Sequence, residues 1–187
     1  MSSTRVSLDP SGEIRVALGV DDFELARQLG HERTAEAARS NRPGRAGCRP
    51  GNLEQDIDGA AAEVAFARAL GLAPSMSISP DPGPDVGDYH VRSTSWPNGR
   101  LIVRPGEGGD HLYVLVVGRG REWRVIGTIV GGDALKPEFW AAPNGRPGCY
   151  MVPQSRLNRL RIPSIPGATA WPQDSGRSRE PRVGGQD

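Results

Sequence analysis

The chain predicts an α+β or α/β fold, a mixed β-sheet flanked by helices, with an N-terminal β-hairpin and helix in front of it. Three observations carry this. Residues 53–70 show the apolar spacing of an amphipathic helix. Residues 89–96 alternate in polarity as a half-buried strand does. The run Leu112-Tyr-Val-Leu-Val-Val117 is continuously apolar, the pattern of a central strand buried on both faces.

Each element follows in order. Arg5 to Leu8 and Ile14 to Val20 alternate around Asp9-Pro-Ser-Gly12, which reads as the hairpin. A helix starts at Asp21 or Asp22, either of which suits an N-cap, and runs to about Arg39 with Gly30 inside it. Residues 40–51 form a Pro/Gly-punctuated loop carrying Arg42, Arg45 and Arg49, either a phosphate-tracking loop or a solvated linker. The second helix spans Leu53 to Leu70 and is closed by Gly71. Met76 to Ser79 reads as a short strand and residues 81–88 as a tight acidic turn. Within the next strand His90, Arg92 and Thr94 share one face. Trp96-Pro-Asn98-Gly99 predicts a type I′ hairpin returning through Arg100 to Pro105 as the partner strand. Residues 123–130 supply a further strand after Gly118-Arg-Gly120, and Tyr150 to Val152 with Gln154 to Leu160 finish the fold. The expected organisation is 1–51 as hairpin, helix and Arg-rich loop packed on the core, 52–162 as the core, and 163–187 as a disordered tail too rich in Pro, Gly, Ser and Arg to bury itself.

Composition narrows the partners. A net charge of +1 gives no uniformly basic surface, so any nucleic-acid contact must come from local clustering. Lys136 is the only lysine, which with abundant Ala, Gly and Pro reads as the coding bias of a GC-rich genome. Cys48 and Cys149 lack zinc spacing, which points to a reduced, cytoplasmic protein. No apolar stretch approaches the roughly 18 residues of a membrane span, and no membrane association is expected.

Glu63 falls between Ala60, Phe66, Ala67 and Leu70 on the second helix. A carboxylate there needs a metal or a cationic partner, unless it snorkels at the edge of the stripe. Downstream, Pro84-Asp85 precedes the strand carrying His90 and Arg92. This order of helical Glu, Pro-Asp turn and motif strand resembles the PD-(D/E)XK nuclease superfamily over about residues 52–134. Residues 85–130 also look like small phage and prophage proteins of GC-rich hosts. The resemblance implies a restriction-endonuclease-like sheet and a DNA phosphodiesterase centre using a divalent metal, Mg²⁺ or Mn²⁺. Glu63 and Asp85 would be ligands, His90 would stand where the second acid belongs, Val91 would offer its carbonyl, and Arg92 would replace the catalytic lysine. Imidazole in that set leans toward Mn²⁺. A guanidinium cannot give up its proton near neutral pH, so Arg92 would clamp phosphate rather than act as a base.

Weaker candidates are Asp88, a possible substitute acid but more simply a turn residue, and Asp110 with His111, a surface loop unless a neighbouring strand brings them in. His31 reads as a partly buried helix residue, and Gly106-Glu-Gly-Gly109 is not a phosphate loop because no Lys-Ser/Thr and helix follow. Three function classes follow. The first is a metal-dependent endonuclease. The second is a degenerate nuclease fold that binds nucleic acid through Arg92, Arg100, Arg104 and the loop of Arg42 to Arg49. The third is a protein-interaction module using Trp96, Trp123, Phe139 and Trp140.

Overall fold

A computed structural model describes residues 3–10, 12–40, 52–75, 78, 83–142 and 147–160. The Arg42 to Arg49 loop, most of the strand expected at 76–79 and the tail after 162 lie outside the described residues. The expected mixed sheet is present. It has five strands in the order β1-β2-β6-β5-β3, built from Arg5–Leu8, Ile14–Ala17, Glu122–Val130, Leu112–Arg119 and Tyr89–Thr94. All neighbours are antiparallel except β3 and β5, which run parallel. Among the described residues no helix is long and apolar enough to cross a membrane.

The N-terminal hairpin forms as its alternation predicts, with Val6 opposite Val16, and Asp9 closes the turn by accepting the Glu13 and Gly12 N–H groups. Through β2 it joins β6, so the N-terminal segment is part of the main sheet. Helix α1, Val20–Arg39, and helix α2, Leu53–Leu70, both lie on one face. Their buried residues Ala26, Leu29, Ala62, Val64 and Phe66 meet Val91, Val114, Val116 and Trp123 from the sheet. As expected, α2 ends on Gly71 in the left-handed conformation, φ 70°, and its N-cap Asn52 accepts the Gln55 N–H. The cap expected at Asp21 or Asp22 is absent. Gly19 is the N-cap, so Asp21 and Asp22 both lie within the first turn, where Asp22 instead accepts Arg68 at 2.7 and 3.0 Å and the Thr4 hydroxyl.

The opposite face is covered by a small antiparallel sheet, β4-β8-β7, from Leu101–Val103, Cys149–Val152 and Trp140–Ala141. Leu101, Val103 and Val152 pack there on Tyr113, Leu115, Val117 and Ile129. This corrects the predicted hairpin of residues 89–105. A turn does form at 96–99, with the Gly99 N–H donating to Trp96 O at 2.8 Å. Yet Gly99 does not have positive φ, and a Cβ there would strike the Thr94 side chain. Without the primed turn the strands part: β3 takes β5 as its neighbour, and β4 pairs with β8, Leu101 opposite Val152. The segment Gly131–Ala134 forms a single helical turn, α3.

Gly30 has a packing role in the helix layer. A Cβ there would lie 2.6 Å from Ile57 Cγ1 and 2.7 Å from Ile57 Cα, so α1 and α2 touch backbone to backbone at this point. Gly30→Ala therefore lowers stability by about 1–3 kcal/mol through overpacking, despite a helix-propensity gain of about 1 kcal/mol. Denaturant unfolding measures it; a rise in the midpoint would contradict so close a helix contact.

Candidate functional site

The edge strand β3 organises the site because its side chains alternate between the two cores. Tyr89 and Val91 face the helices, Tyr89 meeting Phe66 edge-on at 5.1 Å between ring centroids. His90 and Arg92 face the other way, toward Tyr113. The four residues singled out by sequence are thus divided between two sides and an edge.

Glu63 lies on the helix side, with both carboxylate oxygens held by the Arg33 guanidinium at 2.8 and 2.7 Å. Only 12 % of the Glu63 side chain and 22 % of the Arg33 side chain are exposed. Burial disfavours the Arg33 charge, but the Glu63 hydrogen bonds and the fields of Glu63, Asp85 and Asp56 outweigh it and raise its pKa. The compensating partner that Glu63 needs is therefore a cation on the neighbouring helix. Asp85 sits at the strand edge, where one oxygen accepts the outward Val91 N–H at 2.7 Å. The turn itself is closed by the Asp85 N–H donating to Tyr89 O at 2.8 Å, as the acidic-turn reading expects.

On the outer face His90 is buried and stacks on His111, centroids 4.2 Å apart with the planes 16° from parallel. Arg92 is pinned: Nε donates to Ile102 O at 3.2 Å, one terminal nitrogen to Val91 O at 3.2 Å, and the other reaches Glu107 at 3.0 Å. Its guanidinium carbon stands 5.1 Å from the Tyr113 ring centroid. Burial works against the Glu107 charge, yet Arg92 first, then the Arg104 N–H, hold its pKa below the ordinary carboxylate value. Burial pushes the Tyr113 hydroxyl upward, aided by Glu107. His111 thus comes into the site from just before β5, the strand neighbouring β3, the less favoured of its two sequence readings, while Asp110 stays at the surface. Asp88 is an exposed turn residue, and His31 is exposed rather than partly buried. Trp123 is buried, so only Trp96, 76 % exposed, and Trp140 among the tryptophans named as an interface are well exposed.

The donor set does not fit a divalent ion as arranged. Glu63 spends both oxygens on Arg33, Asp85 spends one on a backbone N–H, and His90 stacks on the far side of the strand. Among the described residues no group of three or more His, Cys, Asp and Glu side chains is placed to hold a metal. What the outer face offers instead is a fixed guanidinium, a second arginine and two imidazoles near the Glu107 carboxylate, a set suited to oxyanions. Sequence reasoning missed Arg33, Glu107 and Tyr113. In the sequence only the need of Glu63 for a partner was a signal; that Arg33 meets it follows from the close α1–α2 contact at Gly30, three residues before it on the same helix side. In comparisons with known proteins the chain matches no family model, no curated protein and no solved structure.

Two measurements follow from this geometry. Arg33→Ala removes the two short hydrogen bonds that hold Glu63 and costs roughly 2–4 kcal/mol, between the exposed and fully buried limits for ion pairs. Arg33→Met with Glu63→Leu recovers most of that loss in denaturant unfolding. A single-variant loss near zero would mean that the pair is solvated.

The second concerns His90. Burial first, then His111 and to a smaller degree Arg92, depress its pKa against the opposing fields of Asp85 and Glu107. A base with a depressed folded pKa binds fewer protons folded than unfolded, so its contribution is complete above the ordinary value of about 6.5 and declines as pH falls below it. Unfolding free energy of the parent therefore decreases from pH 7 toward pH 5, and His90→Phe, which keeps a stacked ring, flattens that slope. Parallel pH profiles for the two proteins would remove His90 from the account.

Proposed function

We propose that the chain is a nucleic-acid-binding protein of nuclease-like architecture that engages phosphates on the outer face of β3 without metal-assisted hydrolysis. The observation that carries this reading is the fixation of Arg92 by two backbone carbonyls, with its remaining terminal nitrogen turned to an anion beside His90, His111 and Arg104. A guanidinium already held in place loses little freedom on meeting a phosphate and offers it a directed N–H. Hydrolysis of DNA by Mg²⁺ or Mn²⁺, the reaction implied by the resemblance, needs Glu63 and Asp85 as open ligands. The Arg33 pair and the Val91 N–H speak for binding over cleavage.

Binding of a labelled oligonucleotide at several salt concentrations tests the reading. Arg92→Ala should weaken affinity by about tenfold and lower the salt slope by about one. Cleavage of plasmid or single-stranded DNA in Mg²⁺ or Mn²⁺ that disappears in Glu63→Gln would return the chain to the endonuclease class. A protein that binds no nucleic acid at any salt would leave the protein-interaction class, with exposed Trp96 as its contact.

A further inference from the structure

The Glu107 carboxylate is held by the donors that an external oxyanion would use. One of its oxygens takes the Arg92 guanidinium and the Arg104 backbone N–H, both at 3.0 Å, and the other lies 3.8 Å from the Arg104 guanidinium. Two guanidinium groups and a backbone N–H are a usual phosphate-binding combination. The site is reachable from solvent, since 26 % of the Glu107 side chain and 30 % of that of Arg104 are exposed, against 17 % for Arg92 at the bottom. Glu107 is also set between glycines. Gly106 adopts φ 86° with open space where a Cβ would project, and beyond Gly108 the Gly109 carbonyl is anchored by the Gly132 N–H at 2.6 Å. The loop is thus fixed at its far end, where the Gly108 carbonyl also accepts the His111 N–H, and jointed at Gly106 on the near side of the carboxylate.

We propose that Glu107 is an internal stand-in for a phosphate group: the cradle of Arg92, Arg104 and the Arg104 N–H binds a phosphate oxyanion, and Glu107 swings out to admit it. The proposal deepens, and rests on, the nucleic-acid reading, adding a gate that competes with the ligand for the same donors. It also explains the loop's sequence. Gly106-Glu-Gly-Gly109 supplies the occupant of an anion site rather than its walls. The competing account is a purely structural one, in which Glu107 staples the turn closed by its own N–H donating to Arg104 O at 3.1 Å.

Glu107→Gln separates the two, because the amide oxygen still accepts the Arg104 N–H while the competing charge is gone. With the full chain, affinities for inorganic phosphate and for a labelled oligonucleotide should both rise about tenfold, the scale of one released charge-assisted contact. The gain should vanish in Glu107→Gln/Arg92→Ala. A folded Glu107→Gln protein with unchanged or weaker phosphate affinity overturns the gate and leaves the structural staple. The two readings fail separately. If Arg92→Ala leaves oligonucleotide affinity untouched the nucleic-acid reading falls, whereas the phosphate measurement on Glu107→Gln decides the gate by itself. Should that variant not fold, saturating inorganic phosphate on the unmodified chain should shift the backbone amide resonances of Arg104 and Gly106 to His111, and the absence of any shift there overturns the proposal.

Discussion

The parallel pairing of β3 with β5 is the constraint on which the rest of the structure depends. Parallel neighbours cannot be joined by a tight turn, so the chain leaving Thr94 must travel back along the sheet before it re-enters at Leu112. On that return it forms β4, which pairs with β8 and closes the second core over Tyr113, Leu115 and Val117. The same return path lays Arg104, Glu107 and His111 across the outer face of β3, where His90 and Arg92 already point. At the free edge of β3 the Asp85 carboxylate takes the outward Val91 N–H, occupying a donor that an edge strand would otherwise offer to a foreign strand.

Ion pairs between distant parts of the chain tie the two helices to each other and the hairpin to β6. Arg33 joins Glu63, Arg68 joins Asp22, and Arg124 joins Glu13 from β6 to the hairpin. The hydrogen bond from Arg68 lowers the Asp22 pKa against the opposing effect of burial, so this contact holds above the ordinary carboxylate range and fails as pH falls through the depressed value. The net charge of +1 follows from nearly equal numbers of basic and acidic residues, and in the described residues many guanidinium groups have a carboxylate in reach. A protein arranged this way has little long-range attraction for a polyanion, and recognition must rest on a local cluster.

Much of the fold was legible because it depends on short-range pattern. The hairpin at Asp9 to Gly12, both long helices, the Gly71 cap and the strands at 89–94, 112–119 and 122–130 all follow from spacing and turn chemistry. Partner choice did not follow. Asn98-Gly99 carries a hairpin signal, but Gly99 is required for its closeness to Thr94 and not for positive φ, and sequence alone does not distinguish these uses of glycine. The site shows the same division. That Glu63 needed compensation was readable from its apolar stripe, but Arg33 lies thirty positions upstream among many arginines. Trp123 is the reverse case, a residue grouped with surface aromatics that instead fills the main core, its indole N–H donating to Gly120 O at 2.9 Å.

The order of motif residues along a chain does not say on which side of a sheet each will act. A strand's side chains reverse with every residue, so the step from Val91 to Arg92 is a step from one core to the other. In this chain the helix bearing Glu63 covers the Val91 side. Moving β3 by one residue relative to the sheet would turn His90 and Arg92 toward Glu63, but it would also expel Tyr89 and Val91 from their contacts with Phe66 and the helix core. The apolar residues thus fix the parity of the strand, and that parity separates the carboxylate from the imidazole and guanidinium. The two sides are left with different chemistry: an Arg33–Glu63 pair under the helices, and on the outer face a pair of arginines and two imidazoles with the Glu107 carboxylate between the guanidinium groups.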